Sequence, residues 1–461
     1  MWQRTPARFA AAVLAGLLLS AARPPLDLGP LALVALVPLW FAWRGTRPGR
    51  AALLGLVGGV AYYGVLVSWT WYFGAVAIVP FVVVLALSWA GAGAVVAWLA
   101  GRGVRNPWVL GAIWVLFEAV IGRFPVGGFY WGEVGYAFHA SNVARGLATW
   151  GGVPFVSFVA VAGSALFADG VIAAASRNVR ALGPAAAGLA VLVAVVAVGD
   201  VTRFTPHPTG SLHYALLQGN DKDRELTQAE VDAQYLTYSH LGLAAQLEGP
   251  YDLIVFPESS LDSDPEDDIT VRNALVDVAR SHGADVLANA ITTDAQGRNF
   301  NTNRLYEPNG KLQGSYSKQH LVPFGEYIPL QSIFGSIGAT KQIKTLFTAG
   351  HGTKIFHVAG HPVGTVICFE SAFSPLVRKF VRAGAQAIVV TTNNRSYRRS
   401  ANSAQHLDTS QMRAAETARP VLHSAISGIT AVFDASGHEL HHTRLFHNTV
   451  VTGRITTTSG E

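Results

Sequence analysis

Three groups in this sequence are of the types that together perform nucleophilic catalysis: the thiol of Cys368, the carboxylate of Glu258 and the ammonium of Lys318. Cys368 is the single cysteine among 461 residues. On composition alone a lone cysteine packs as a small apolar residue. Its setting, T-V-I-C-F-E-S-A-F, reads as a buried strand over 363–369 that delivers Cys368 to a turn before a helical segment. Glu258 ends I-V-F-P-E-S-S. Pro257 cannot extend a central ladder, so the carboxylate belongs where the strand stops. A desolvated carboxylate there suits a general base; the bland reading is a cap on the next helix. Lys318 follows an amphipathic strand and precedes H-L-V-P-F-G-E-Y-I-P, which contains Glu326. An ammonium in that setting would support a developing oxyanion and lower a neighbouring thiol's pKa. The bland reading is a solvated lysine in a hairpin.

The elements that carry these residues lie in the second half of the chain. Short β-type runs are predicted at 212–218, 252–257, 285–292, 302–306, 312–316, 353–358, 363–369, 385–391, 421–427, 430–434 and 450–455. Helices are predicted at 228–246, 269–281, 373–383 and 404–418. E-P-N-G at 307–310 and D-A-S-G at 434–437 are turns. Strands alternating with helices, some wholly apolar as in A-I-V-V, predict an α/β sheet covered by helices.

The first half is different. Half of all residues are hydrophobic and only 14% are charged, against about 25% in a soluble domain. The deficit is concentrated before residue 200, which divides the chain into a transmembrane domain, 1–200, and a globular domain, 201–461. Apolar runs near 6–22, 28–43, 51–73, 76–100, 107–122, 150–175 and 182–199 fit seven crossings, each span needing roughly 20 residues. The first run, behind Arg4 and Arg8, also resembles a signal peptide, but a series of spans follows it. Arg4, Arg8, Arg44, Arg47, Arg50, Arg102, Arg105, Arg177 and Arg180 fall on alternate connections; Arg23, Arg123 and Arg145 sit on the others. Basic residues favour the cytoplasmic side, so the globular domain is expected outside the cytoplasmic membrane. The net charge of +5 does not point to nucleic acid, because many arginines flank apolar runs. One cysteine excludes an internal disulfide framework. Residues 123–149 are rich in glycine and aromatics and hold Glu133. Two readings stand: an interfacial belt, or a partly re-entrant loop lining a lipid-accessible cavity.

F-P-E at 256–258, S-K-Q-H-L-V-P-F-G-E-Y-I-P at 317–329 and I-C-F-E at 367–370 resemble the nitrilase superfamily. With the spans before them, they resemble its membrane-embedded branch, the apolipoprotein N-acyltransferases. The resemblance implies an α-β-β-α sandwich and a Glu-Lys-Cys triad. Cys368 would take an acyl chain from a phospholipid as a thioester. Glu258 would serve as base for the thiol and then for the incoming amine, and Lys318 would support the oxyanion. Glu326 would position the lysine, with Glu370 in support. The acceptor would be the α-amino group of a diacylglyceryl-cysteine that begins a lipoprotein. No metal or organic cofactor is implied, and a monomer in the bacterial cytoplasmic membrane is expected.

By the same resemblance Gly128, Phe129 and Trp131, in G-G-F-Y-W-G-E, would lie near the acyl chain, and Phe369, Asn393 and Asn394 would border the substrate. The sequence departs from the pattern in three places. Phe369 replaces a frequent tyrosine, and Asn393-Asn394-Arg395-Ser396-Tyr397 replaces Asn-Asp-Ala-Trp-Phe, with Arg398-Arg399 behind it. This basic loop would either contact lipid headgroups or stand solvated. The pattern also continues to an eighth span, where this sequence ends T-T-T-S-G-E. An anchored amidase with the same triad is the competing reading, and a non-catalytic scaffold is a third. His438-Glu439-Leu440-His441-His442 matches the H-E-x-x-H zinc motif, but it follows a turn and reads as a strand. There the histidines stand too far apart for ordinary chelation.

Overall fold

The computed structural model describes residues 5–177, 179–329 and 345–460, so Arg4 lies outside the described residues. The chain forms two compact units, Met1–Phe204 and Thr205–Glu461.

The first unit is helical. Pro48–Leu66, Ile78–Ala100, Asn142–Ala175 and Leu182–Val201 are long and apolar enough to cross a membrane. Thr5–Ala21, Gly29–Trp43 and Pro107–Ile121 are shorter apolar helical segments. The helix Asn142–Ala175 bends where Gly152 adopts φ 71°, just before Pro154. The apolar run read from sequence at 150–175 covers the part of this helix that follows the bend. Aromatic rings fill the interior: Trp89 stacks on Tyr62 at 5.4 Å and meets Trp114 edge-on at 4.8 Å. Arg8 donates to the carbonyls of Ala42 and Arg44 at 2.9 and 3.0 Å, and Arg44 pairs with Asp169 at 3.2 Å. These three polar side chains therefore share one end of the unit.

Arg23 behaves differently from the loop arginines. It is wholly buried, donates to the Trp131 carbonyl at 3.2 Å and lies over the Tyr136 ring. Its partners belong to the glycine- and aromatic-rich segment, which folds into the helical unit rather than spreading over its surface. Residues 128–137 are all buried there. Their backbone is irregular, so its polar groups need partners inside the protein. Val134 N–H donates to Glu118 Oε1 at 2.8 Å, Gly135 N–H to the Ser157 hydroxyl at 2.8 Å, and Phe129 N–H to the Ile121 carbonyl at 2.8 Å. The Gly132 carbonyl accepts from Tyr62 at 3.1 Å.

The second unit is a sandwich of two six-stranded sheets. The strands are β1 (His207–Gln218), β2 (Leu253–Val255), β3 (Asp285–Thr293), β4 (Asn299–Tyr306), β5 (Leu312–Ser317), β6 (Ile355–Val358), β7 (His361–Ile367), β8 (Ala387–Thr392), β9 (Val421–Ala425), β10 (Ala431–Phe433), β11 (Glu439–His442) and β12 (Thr449–Ser459). One sheet runs β12-β1-β2-β3-β4-β5 and the other β11-β10-β9-β8-β7-β6. Each has a parallel centre, β1-β2-β3 and β7-β8-β9, with antiparallel edges. The helix Ile269–His282 buries Val271, Leu275 and Ala279, one face at four-residue spacing, in the core of the first sheet. Asp268 caps its start and Gly283, at φ 61°, ends it.

Two departures from the sequence reading have visible causes. The predicted helix 228–246 is broken into Gln228–Asp232 and Tyr235–Ala244, with Gln234 left-handed at φ 50°. The break is stabilised from outside: Asp262 accepts from the Thr237 N–H at 2.8 Å and its hydroxyl at 3.0 Å, which satisfies donors at the new N-terminus. The strand over 363–369 stops at Ile367, because the Glu370 carboxylate accepts the Ile367 N–H at 2.8 Å and turns the chain.

Candidate active site

Cys368 is the first residue of the tight turn Cys368–Ala372 at the end of β7, and it sits at φ 53°. A side-chain-bearing residue at positive φ is strained, and such strain persists only where the surroundings over-determine it. Here they do. Below the turn, Glu370 is fully buried and accepts from Ile367, Gln319 and His320 N–H groups at 2.8, 2.6 and 3.1 Å. The Tyr316 hydroxyl lies 2.9 and 3.0 Å from its two oxygens. Behind the turn, His406 Nε2 lies 2.9 Å from the Cys368 carbonyl. A carbonyl only accepts, so Nε2 carries the proton, and Nδ1 is left to accept from Asn394 Nδ2 at 3.2 Å. Burial pulls His406 down to about 4, which keeps this tautomer neutral.

Glu258 and Lys318 come from the opposite sheet. Glu258 follows β2 and is 4% exposed; Lys318 follows β5 and is 1% exposed. Lys318 Nζ donates to Glu258 Oε1 at 3.2 Å and to Glu326 Oε1 at 2.8 Å. Burial alone would lower the ammonium's pKa, but the Glu258 and Glu326 carboxylates hold it well above its ordinary value. Glu326 closes its own loop by accepting the Val322 N–H at 2.8 Å. Glu258 Oε1 also accepts from Asn301 Nδ2 at 2.7 Å, and Oε2 accepts from the Asn393 N–H at 2.6 Å. The charges of Glu258 and Lys318 both act on the Cys368 thiol, and the Thr392 hydroxyl hydrogen-bonds to it.

Lys318 lowers the thiol's pKa, as expected, but it is not the largest influence on it. Burial pushes Cys368 up to about 12; Glu258 adds to the rise, and Lys318 offsets only part of it. The pull of one ammonium shared between two carboxylates is smaller than the cost of burying a thiolate.

The asparagines that join these groups escaped the sequence reading. Asn289 Nδ2 donates to Asn301 Oδ1 at 2.8 Å and Asn303 Oδ1 at 2.9 Å. Asn303 Nδ2 crosses between the sheets to Thr365 and Thr391 at 2.8 and 3.0 Å. The available signal was N-F-N-T-N on a strand, since asparagine is depleted from strands unless something pairs it.

The remaining expected residues divide. Asn393 touches Glu258 through its backbone. Asn394 is buried, and its side chain donates to Asn402 Oδ1 at 2.7 Å. Phe369 is half-buried and packs edge-on against Phe373 at 5.0 Å. Gly128, Phe129 and Trp131 belong to the helical unit. Gly128 has φ 89°, and a Cβ there would stand 1.9 Å from the Gly122 carbonyl oxygen. Phe129 packs against Phe81 at 5.0 Å and Trp131 against Trp69 at 5.8 Å. In the basic loop Arg395, Arg398 and Arg399 pair with Asp221, Glu225 and Asp223. The H-E-x-x-H residues Glu439–His442 form the exposed strand β11, where His442 pairs with Glu439 at 2.7 Å. No group of three or more metal-binding side chains occurs among the described residues.

Residues 15–166 match the family model of the apolipoprotein N-acyltransferase N-terminal domain, and residues 215–458 match that of carbon-nitrogen hydrolase. The chain is 29% identical to the apolipoprotein N-acyltransferase of Geobacter metallireducens over 98% of its length, spanning 89% of that protein. It is 30% identical to the enzyme of that name from Methylococcus capsulatus, covering 97% of this chain and 90% of the relative. The chain belongs to the apolipoprotein N-acyltransferase family. Its second unit is accordingly of carbon-nitrogen hydrolase type, and its first supplies the apolar helices of a membrane protein.

Proposed function

We propose that this chain transfers a fatty acyl group from a phospholipid to the α-amino group of a diacylglyceryl-cysteine at the start of a lipoprotein, through a thioester on Cys368. The observation that carries this reading is the pairing, in one chain, of an acyltransferase-type membrane unit with a buried thiol flanked by a carboxylate and an ammonium. A hydrolase of small amides needs no such membrane unit.

A thiol held up to about 12 is protonated at rest. It needs a base that acts as the substrate arrives, and Glu258 fills that role. In the first half-reaction the Cys368 S–H proton passes to Glu258 as the sulfur bonds to the ester carbonyl carbon. The carbonyl oxygen becomes an oxyanion beside Lys318. Collapse breaks the carbon–oxygen bond to glycerol, and Glu258 returns the proton to that oxygen, releasing a lysophospholipid. In the second half, the acceptor amine attacks the thioester carbon, Glu258 takes its proton, and the sulfur leaves and is reprotonated. Atoms and charges balance without a metal or redox partner.

Lys318 is well placed for this because it keeps its proton throughout. Its two carboxylate partners hold it cationic, so it stabilises negative charge without becoming an acid itself. The loop arginines support an orientation with Thr205–Glu461 on the extracytoplasmic side of the bacterial cytoplasmic membrane. Incubating the purified protein with phospholipid and measuring intact mass tests the reading. A fatty-acyl adduct on Cys368, removed by hydroxylamine and missing in Cys368→Ser, is expected. No adduct under turnover conditions overturns it.

A further inference from the structure

The two oxygens of Glu258 are held by different parts of the second unit. Oε1 faces Asn301 and Lys318, which belong to the framework of the first sheet. Oε2 is held by the N–H of Asn393, in the loop that leaves β8. Because this donor is a backbone group, no side-chain change at 393 other than to proline deletes it. Its position depends on whatever fixes the loop.

The Asn394 side chain holds the loop to Asn402 and His406, and a set of ion pairs ties it to the segment that follows β1. Asn393 Oδ1 accepts the Arg395 N–H at 3.0 Å, which couples the two residues in a tight turn. The Arg395 guanidinium then reaches Asp221 at 3.3 Å, Glu225 at 3.1 Å and the Arg224 carbonyl at 2.9 Å. Arg398 donates to the Asp223 carbonyl at 2.8 Å, and Arg399 to the Asp223 carboxylate at 3.0 Å. The acidic segment is itself anchored to the body of the unit. Gly219 N–H donates to His240 Nε2 at 3.0 Å, Asn220 N–H to the Ile426 carbonyl at 2.8 Å, and Tyr235 to the Asn220 carbonyl at 3.2 Å. R-S-Y-R-R thus answers D-K-D-R-E across 174 residues, 395 minus 221.

The three arginines are not equivalent. Arg398 and Arg399 are 40% and 65% exposed, and pairs that open to water are worth little. Arg395 is 20% exposed and Asp221 only 5%. A pair so shielded is hard to break on one side, because removing Arg395 leaves the Asp221 carboxylate buried without its cation. We propose that Arg395 and Asp221 form a latch that positions the Glu258 carboxylate for proton transfer, acting through the Asn393 N–H. Arg395 is a positioning residue and touches no substrate. The departure of this loop from the family pattern then has a physical content: the charge of Arg395 is spent inside the molecule rather than on lipid headgroups. The inference rests on Glu258 being the base.

The test uses the full chain in mixed micelles of detergent and phospholipid. Two quantities are measured: the single-turnover rate of Cys368 acylation at saturating phospholipid, and the phospholipid concentration giving half that rate. Arg395→Gln and Asp221→Asn are each expected to slow acylation by roughly ten- to a hundredfold, the scale of an ångström-sized misplacement, with half-saturation unchanged. The double variant is expected to be no slower than either single one, and Arg395→Lys, which keeps the ion pair, to recover part of the rate. Wild-type rates in the single variants, multiplying losses in the double, or a change confined to half-saturation would each overturn the latch. Glu258→Gln run alongside separates the two ideas: full acylation there refutes the base, whereas its loss beside a wild-type Arg395→Gln refutes the latch alone.

Discussion

The resting state of Cys368 can be tested by its reaction with a small alkylating agent. Burial pushes the thiol up to about 12 from an ordinary 9.0, a difference of three units. Each unit is a factor of ten, so at pH 7 the thiolate fraction falls from about one in a hundred to about one in a hundred thousand. Alkylation of the full chain by iodoacetamide is therefore expected about a thousandfold more slowly than that of a free thiol, with the logarithm of the rate rising by one per pH unit from 6 to 10. Intact mass against time at each pH gives the rates. Poor access would lower every rate but leave that slope alone, which separates burial from ionisation. Neighbouring charges act in opposite directions: Glu258 raises the thiol and Lys318 lowers it. Glu258→Gln should then alkylate faster at a fixed pH while losing acylation by phospholipid, and Lys318→Met should alkylate more slowly. A plateau below pH 8, or slower alkylation in Glu258→Gln, refutes the argument that the thiol waits for a base.

Burial holds His240 and His406 down to about 4 from 6.5. The folded values lie below the unfolded ones, so their stabilisation is complete above pH 6.5 and disappears as pH falls toward 4. About 3 kcal/mol apiece is at stake, and the fall in melting temperature over that window should be shallower in His240→Gln. Asn303→Leu removes the donors to Thr365 and Thr391 and leaves Asn289 with one acceptor fewer. Orphaned buried polar groups cost about 1–3 kcal/mol each, so chemical denaturation should show a loss of that order or somewhat more; an unchanged midpoint would show that the bridge between the sheets is dispensable. Gly128→Ala meets the Gly122 carbonyl at φ 89°, whereas Gly64→Ala meets nothing within 4 Å. Yield of monodisperse protein in detergent should collapse for the first and hold for the second.

Much of the second unit was legible because strand periodicity and turn residues are local signals. The runs read from sequence before Glu258, Lys318 and Cys368 correspond to β2, β5 and β7, and 439–442 reads as a strand from the turn before it. The charge deficit before residue 200 likewise marks the helical unit without any knowledge of packing. What the residues alone left undecided depends on contacts between distant positions. The helix break at Gln234 rests on Asp262, and the asparagine bridge rests on two sheets meeting face to face. Arg395–Arg399 read as a solvated or lipid-facing loop until Asp221, Asp223 and Glu225 came to face it. The state of Cys368 turned on the same kind of information. Its sequence neighbours identify a strand end, but whether a thiol is acidic depends on burial weighed against charge, and both are set by the surrounding tertiary structure.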